Sequence, residues 1–522
     1  MTPPMDPITL SPKSATICSI EEDDRRTIYS PSHTLPSVEN TKSIPKEQQS
    51  SSSPSSRSRW MFPGLCGSEG HTVDPRSYSR TKKYTILLIV ATAGAISPIA
   101  STIYFPAIID MQDYFQTDAT TINASLSVFT FVTAVFPLMW ATLGEIFGRR
   151  RIYLAAFLIA LIGTVCCAIS INVGMFIAFR AFSAIGSSCV MSMGAGTISD
   201  IFEPSERGRA FAWYTCGPLL GPALGPIVGG YLNQGLGWRS TLWFLAIYIA
   251  CIWLAVFFLL PETWRPAPSL PTSKNDFEKP EIEMAKQQQQ QKKQRRGWIN
   301  PLSPLELFKF PNISLAIIFV GFVFFVFYLN STAFTRTYTD QYHLDSGTVG
   351  LCYLPLAVGA MIGGIMGGRY SDKLYNGRVQ KAEGGELYPE MRLGGWLFWG
   401  SIILQLLSFV EYGWCTQMNV HWAYGLVGQF FAGLALMVPN VIISAYIVDC
   451  FRRRGASVTA CNNFARYIMA GIGSLVTSEL QEALGNGILF TIWGAILALA
   501  STTLMVIIWK GKKWAEKRKD FI

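Results

Sequence analysis

Histidine is almost absent from this chain. His33, His71, His343 and His421 are the only four in 522 residues, and none is paired with another. An enzyme or metal protein would need clusters of histidine, cysteine or carboxylate at ligand or acid–base spacing, and none is found. No GxxxxGK[ST] pattern occurs either, which argues against an ATP-driven pump. Charge is scarce: Asp, Glu, Lys and Arg make up 15% of the chain, against roughly 25% in soluble proteins. The eleven cysteines follow no metal-ligand pattern. Most lie inside apolar runs, where a thiol behaves as a small hydrophobe. Only Cys415 is expected in an external loop, so no structural disulfide is expected there. No apolar segment follows the first methionine, so no secretory signal is expected. These absences point away from catalysis and from any cofactor or metal.

Apolar sequence is what the chain has in quantity. Half of its residues are hydrophobic, and its mean hydropathy is +0.29. Twelve runs of about 18 to 25 residues can each cross ~30 Å of hydrocarbon. They fall at 84–107, 122–143, 152–171, 173–198, 209–232, 240–260, 313–334, 347–369, 395–411, 421–447, 458–478 and 486–509. The fold class is therefore all-α and polytopic. Residues 1–80 are rich in Ser, Thr and Pro and are expected to be a disordered tail. A second polar interruption, 263–311, carries Gln287–Gln291 followed by Lys292, Lys293, Arg295 and Arg296. It reads as a solvated linker lying against anionic lipid, and no nucleic-acid partner is expected. It divides the spans into two halves, 81–262 and 312–511, with a tail at 512–522.

The net charge of +9 sits in alternate loops. Arg149–Arg151, Arg207, Arg209, the central linker, Lys373 to Arg392, Arg452–Arg454 and Lys510–Lys519 form one set. The loops 108–121, 412–420 and 479–485 have no Lys or Arg. The positive-inside rule then predicts both termini and the central loop on the cytoplasmic side.

Span 5 contains Gly217-Pro218-Leu219-Leu220-Gly221-Pro222-Ala223-Leu224-Gly225-Pro226-Ile227-Val228-Gly229-Gly230. A plain membrane anchor has no use for three prolines, each of which removes a helix hydrogen bond. Gly221, Gly225 and Gly229 recur at one helical turn and form a smooth stripe suited to close packing of a second helix. The two halves also echo each other. Ala141-Thr142-Leu143-Gly144-Glu145-Ile146-Phe147-Gly148-Arg149-Arg150-Arg151 follows span 2, and Gly368-Arg369-Tyr370-Ser371-Asp372-Lys373-Leu374-Tyr375-Asn376-Gly377-Arg378 follows span 8. In each a small residue precedes a carboxylate by one turn, and glycine and arginine follow. Such an acid can cap a neighbouring helix or pair with arginine. Read singly, either is a charged stop signal; repeated six spans apart, they indicate parallel repeats.

With these residues the chain resembles the major facilitator superfamily, and within it the fungal twelve-span drug:proton antiporters close to the quinidine-resistance group. The resemblance covers roughly 81–511. It rests on the 141–151 loop, with Ala141 and Glu145 departing from the usual Gly and Asp, and on Arg180 in span 4, with Ser183 where Gln is common. Gly221-x3-Gly225-Pro226-x2-Gly229-Gly230 and Ser101-Thr102-Ile103-Tyr104-Phe105-Pro106 complete it. It implies a major facilitator fold of two six-helix halves rocking about a midplane site. It implies a plasma-membrane monomer that exports small organic molecules against an inward flow of protons. The alternatives are a broad cation efflux pump and a membrane sensor without turnover. It also implies a gating role for Glu145, Gly148, Arg149, Arg150 and Asp372. Span 5, with Gly221, Pro222, Gly225, Pro226, Gly229 and Gly230, is expected to seal against span 8 at Gly359, Gly363, Gly364, Gly367 and Gly368.

Ionisable residues within spans are functional candidates because hydrocarbon disfavours them. Arg180, Arg466 and Arg336, with Asn462 and Asn463 beside Arg466, are the candidates for substrate or proton coupling. Acids are scarce at that depth, so the census favours an anionic substrate, such as a citrate- or itaconate-like acid or an acidic secondary metabolite. Tyr104, Trp140, Trp213, Tyr214, Phe327, Tyr328, Tyr353 and Tyr446 are candidates for an amphipathic lining, the competing role being helix packing.

Overall fold

The computed structural model describes residues 75–263, 303–381, 388–451 and 455–519. Most of the expected N-terminal tail, the glutamine-rich linker and Arg452–Arg454 lie outside the described residues. Ten helical spans are α1 (Arg80–Phe115), α2 (Ala119–Phe147), α3 (Arg149–Ala168), α4 (Val173–Ile201), α5 (Pro204–Leu236), α6 (Arg239–Leu259), α7 (Pro311–Gln341), α8 (Ser346–Lys381), α9 (Trp396–Gln417) and α10 (Trp422–Cys450). The continuous helix Gly455–Ala500 turns at Gly485, whose φ is +70°. It therefore counts as two, α11 (455–484) and α12 (486–519), the latter continuing through Thr502–Lys519. Among the described residues this gives twelve membrane-length helices, six before and six after the central linker, and no strand.

Side-chain caps start several of these helices. Asp118 accepts the Thr121 amide at 3.1 Å, Asn172 the Met175 amide at 2.8 Å, and Asp345 the Thr348 amide at 3.0 Å. These satisfy donors that a helix start leaves orphaned. Several helices outrun their apolar segments. α1 continues to Phe115, α9 to Gln417 and α11 to residue 484. Polar residues at those ends keep the backbone hydrogen bonds of a helix after leaving hydrocarbon, so hydropathy marks the crossing and not the helix end. Cys415 accordingly lies in the last turn of α9, not in a loop.

The helix ends at Gly148 and Arg392 define a basic end, and those at Asp118 and Asp345 the opposite end. The glycine stripe of α5 packs on α1 of its own half. A Cβ at Gly217 would overlap the Ala91 carbonyl, one at Gly225 the Thr102 hydroxyl, and one at Gly229 the Ile103 carbonyl. The glycines of α8 face α10, with Gly359 against Phe430, Gly363 against Leu434 and Gly367 against Val438. The expected seal between two glycine rows is thus corrected. α5 does meet α8, but at Gly230 and Pro226 against Ser346 and Gly350 near the opposite end. The second half repeats the intrahalf packing, since Gly473 of α11 lies on the Phe325 carbonyl of α7.

Core packing shows which end is shut. Ile86, Val90, Tyr153, Phe157, Met193 and Ile249 belong to a cluster confined to the first half. Tyr104, Phe105, Ile108, Ile122, Phe176 and Trp238, at the opposite end of that half, instead join the cluster of the second half. The apolar core is therefore continuous across the seam at the opposite end.

Candidate functional site

Hydrogen bonds follow the same seam. Ser127 of α2 donates to the Gly471 carbonyl of α11 at 2.8 Å and meets the Ser474 hydroxyl at 2.9 Å. Asn123 donates to Ser478 at 2.7 Å, and Thr120 to Glu479 at 3.3 Å. Asn233 of α5 donates to Asp110 of α1 and, at 2.7 Å, to Ser346 of α8. Arg336 of α7 donates to Gln112 at 3.0 Å and to the Ala119 carbonyl at 3.4 Å. Deeper in, Phe105 stacks on Tyr353 with 6.1 Å between centroids, and Tyr328 donates to Ser101 at 3.3 Å.

Towards the basic end from this layer the halves part around a cavity of about 370 Å³. The first half lends Pro98 and Thr102 of α1, Met191 of α4, and Tyr214, Pro218 and Pro222 of α5. The second half lends Phe324, Phe327 and Tyr328 of α7, Met437 and Asn440 of α10, and Asn463, Arg466 and Tyr467 of α11. The α5 prolines thus face the cavity while its glycines face α1, so one helix both packs and lines. Arg466 is the one charged side chain among the described lining residues. Its guanidinium lies 3.9 Å from the Phe324 ring centre and donates to Asn463 Oδ1 at 3.3 Å, leaving its buried Nε without a partner. Asn462 is buried and does not line the cavity.

The other two arginines are elsewhere. Arg180, 1% exposed, places its guanidinium between Tyr104 and Phe129, 4.3 Å from each ring centre. Two of its nitrogens donate to the Ala100 carbonyl at 3.0 Å, where α1 breaks before Phe105. It braces that break from outside the cavity. Arg336 belongs to the seam at the opposite end. Of the flagged aromatics, Tyr214, Phe327, Tyr328 and Tyr353 line the cavity. Tyr104, Trp140 and Tyr446 are buried in packing, and Trp213 is exposed on the outer surface.

At the basic end the repeated loops form two matching clasps. Gly148, with φ +91°, opens α3, and the carboxylate of Glu262 accepts the Arg149 amide at 2.8 Å. A Cβ at Gly148 would come within 2.5 Å of that carboxylate, so the cap requires glycine. Arg149 reaches Asp200 at the end of α4 at 3.4 Å, and Arg150 donates to the Phe257 carbonyl at 2.6 Å. In the second half Arg392 bridges Asp372 at 2.6 Å and Asp449, at the end of α10, at 2.5 Å. Burial alone would lower the Arg392 pKa, but its bonds to Asp372 and Asp449 outweigh this and raise it. Glu145 itself is exposed, and the carboxylates that cap and pair in its half are Glu262 and Asp200. Sequence reasoning missed these partners, though Asp200 and Asp449 hold corresponding places in the two halves. It also missed Met191, Met437 and the α2–α11 hydroxyls, which carry no signal of their own in a string of apolar residues.

Comparison with known proteins agrees with this architecture. Residues 90–474 match the model of the Major Facilitator Superfamily. The chain is 34% identical over 448 residues to the MFS transporter cpaT of Aspergillus oryzae, covering 84% of this chain and 89% of that one. It is 27% identical to the MFS antiporter QDR3 of Candida albicans, covering 85% of this chain and 80% of the other. Among solved structures, a bacterial homologue of the human lysosomal transporter Spinster, inward-facing and unoccupied, aligns with a TM-score of 0.59 at 16% identity. That alignment covers 84% of this chain and 97% of the other. Transporters, not enzymes, share this fold and sequence, and the chain belongs to the major facilitator superfamily.

Proposed function

We propose that this transporter is a secondary active exporter that takes amphipathic organic anions from the cytoplasmic side and releases them at the opposite end. The carrying observation is the cavity's charge: one arginine, no carboxylate among the described lining residues, and walls of aromatic, methionine and proline side chains. A buried guanidinium fork favours a carboxylate over a cation, and polarisable methionines accommodate varied apolar bodies. A volume of about 370 Å³ is at the lower end of the roughly 300–1,000 Å³ typical of small-molecule sites. This shifts the substrate from a bare dicarboxylate, which would leave the aromatic walls uncovered, towards an acid with an apolar body. The basic loops support a cytoplasmic assignment for the basic end through the positive-inside rule. The cavity then faces the cytoplasm, and alternating access would open the α2–α11 and α5–α8 seams while closing the basic end. Proton flow in the opposite direction is the proposed driving force.

Efflux from intact cells at acid and neutral external pH, comparing aromatic acids, dicarboxylates and quinidine, tests this reading. Arg466→Ala should reduce acid efflux by at least about tenfold, the worth of a charge-assisted hydrogen bond, with membrane abundance unchanged. Arg466→Lys should retain part of it. Undiminished acid efflux from Arg466→Ala would refute the anion assignment, and efflux indifferent to external pH would refute proton antiport.

A further inference from the structure

A second cavity, about 500 Å³, lies outside the central cavity between α1, α5 and α6. We propose that it binds one acyl chain of an anionic phospholipid from the leaflet at the basic end. The groove exists because the glycine face of α5 is used up on α1, leaving Leu220 and Leu224, 37% and 46% exposed, turned towards the bilayer beside Phe244 and Tyr248 of α6.

The lining identifies hydrocarbon as the occupant. Apart from Tyr84 and Trp213 at its mouth, its polar side chains are satisfied within the protein: Thr92 donates to the Leu88 carbonyl at 2.8 Å, Cys216 to the Ala212 carbonyl at 3.4 Å, and Tyr248 to the Thr92 carbonyl at 2.7 Å. No side chain along the floor calls for a polar partner, unlike Arg466 in the central cavity. Along α1 the groove runs from Tyr84 to Ile99, a rise of about 22 Å at 1.5 Å per residue. That exceeds half of the ~30 Å hydrocarbon thickness, enough for one chain of a single leaflet.

The mouth selects the headgroup. Tyr84 and Trp213, 47% and 61% exposed, flank it. Arg80 and Arg209 stand one helical turn further out on the same faces of α1 and α5, both exposed, with Lys83 nearby. Glu206 and the N-cap Glu203 are the exposed carboxylates of α5 beyond Arg209, and Arg80, Lys83 and Arg209 outnumber them, leaving the mouth net positive. Aromatic rings at the interface with paired cations above them match a phosphate-bearing lipid that is itself negatively charged. A bound chain would lie beside Gly217 and Gly221, where α5 meets Ala91 and Pro98, and so press α5 against α1.

The test uses the full chain in nanodiscs containing trace phosphatidylserine or phosphatidylcholine with a diazirine on one acyl chain, and peptide mapping of the adducts. The serine probe should label the Tyr84–Ile99 and Trp213–Val228 segments more than the choline probe, by on the order of tenfold for two interfacial arginines. Arg80→Gln with Arg209→Gln, both on the surface, should equalise the two probes, and Leu220→Trp should reduce labelling by both. Equal labelling of the unaltered chain, a preference that survives loss of both arginines, or labelling untouched by Leu220→Trp each overturns the proposal. Displacement of the probe by a transported acid also overturns it, because the groove would then be a substrate vestibule.

Discussion

Closure of the opposite end rests on a polar seam within the membrane, and its strength can be worked from three hydrogen bonds. Ser127 makes two across to α11, to the Gly471 carbonyl and Ser474, and Asn123 makes one to Ser478. Interhelical hydrogen bonds in membranes average about 0.6 kcal/mol, because the separated helices find other partners. Here the other partners are visible. Ser127 also donates to the Asn123 carbonyl at 3.1 Å, and Ser474 to the Gly471 carbonyl at 3.1 Å. The hydroxyls can fall back on their own helices when the seam opens, so the seam suits a contact that must break in every cycle. Removing all three bonds with Asn123→Ala and Ser127→Ala should cost the closed seam about 1.8 kcal/mol, a shift of roughly twentyfold towards separation. Spin labels at Leu236 and Met418, both exposed and in different halves, placed in a cysteine-depleted chain, would report the spacing. The double variant should raise the ratio of the longer to the shorter distance component by roughly twentyfold. A distribution unchanged from the parent would refute the claim that these bonds hold the seam.

The remaining predictions concern single positions. Gly229→Ala should impair export severely, because its Cβ would overlap the Ile103 carbonyl, whereas Gly364→Ala meets nothing closer than Val441 at 3.9 Å and should be tolerated in the same efflux assay. Asp345 caps α8 beside the seam serine Ser346. Its pKa is lowered, first by the Thr348 hydroxyl and then by the Thr348 amide. A depressed carboxylate pKa means the cap's contribution is complete above the unfolded value near 4 and fades only as pH falls through the lower folded value. Asp345→Asn keeps an oxygen that can accept the Thr348 amide and removes only the charge, so it should lower the melting temperature at neutral pH by an amount matching about 0.3–1 kcal/mol for a carboxylate at a helix N-terminus, and the gap to the parent should shrink towards pH 2. A gap that persists there would rule out an ionised cap.

The parts legible in the sequence are those that depend on near neighbours along the chain. Twelve apolar runs match twelve helices among the described residues, and the repeat after spans 2 and 8 marked two ends where an arginine meets the acid closing α4 or α10, although Glu145 itself stays outside its clasp. Arg466 and Asn463 were found because a cation in an apolar run stands out by itself. Arg180 stood out equally and had to be told apart by geometry, since only the fold brings the broken turn at Ala100 and the rings of Tyr104 and Phe129 to its guanidinium. The acids of the two repeated loops show the same limit. Asp372 does pair with arginine, but with Arg392, while in the first half Glu262, 117 residues from Glu145, supplies the cap.

By itself the sequence determined a polytopic helical protein, twelve apolar runs parted by a polar linker, and an alternation of basic and non-basic loops. Hydrophobic burial over some 20 residues and the need to close every backbone hydrogen bond in lipid decide these locally. The tertiary structure decided which faces meet. A glycine stripe is smooth towards any helix, so the spacing of Gly221, Gly225 and Gly229 could not say that α1 rather than α8 fills it. Nor could it say that the intervening prolines turn into the cavity. Those choices depend on shape and hydrogen-bond complementarity between segments far apart in the chain, and they put one arginine of three in the wall of the central cavity.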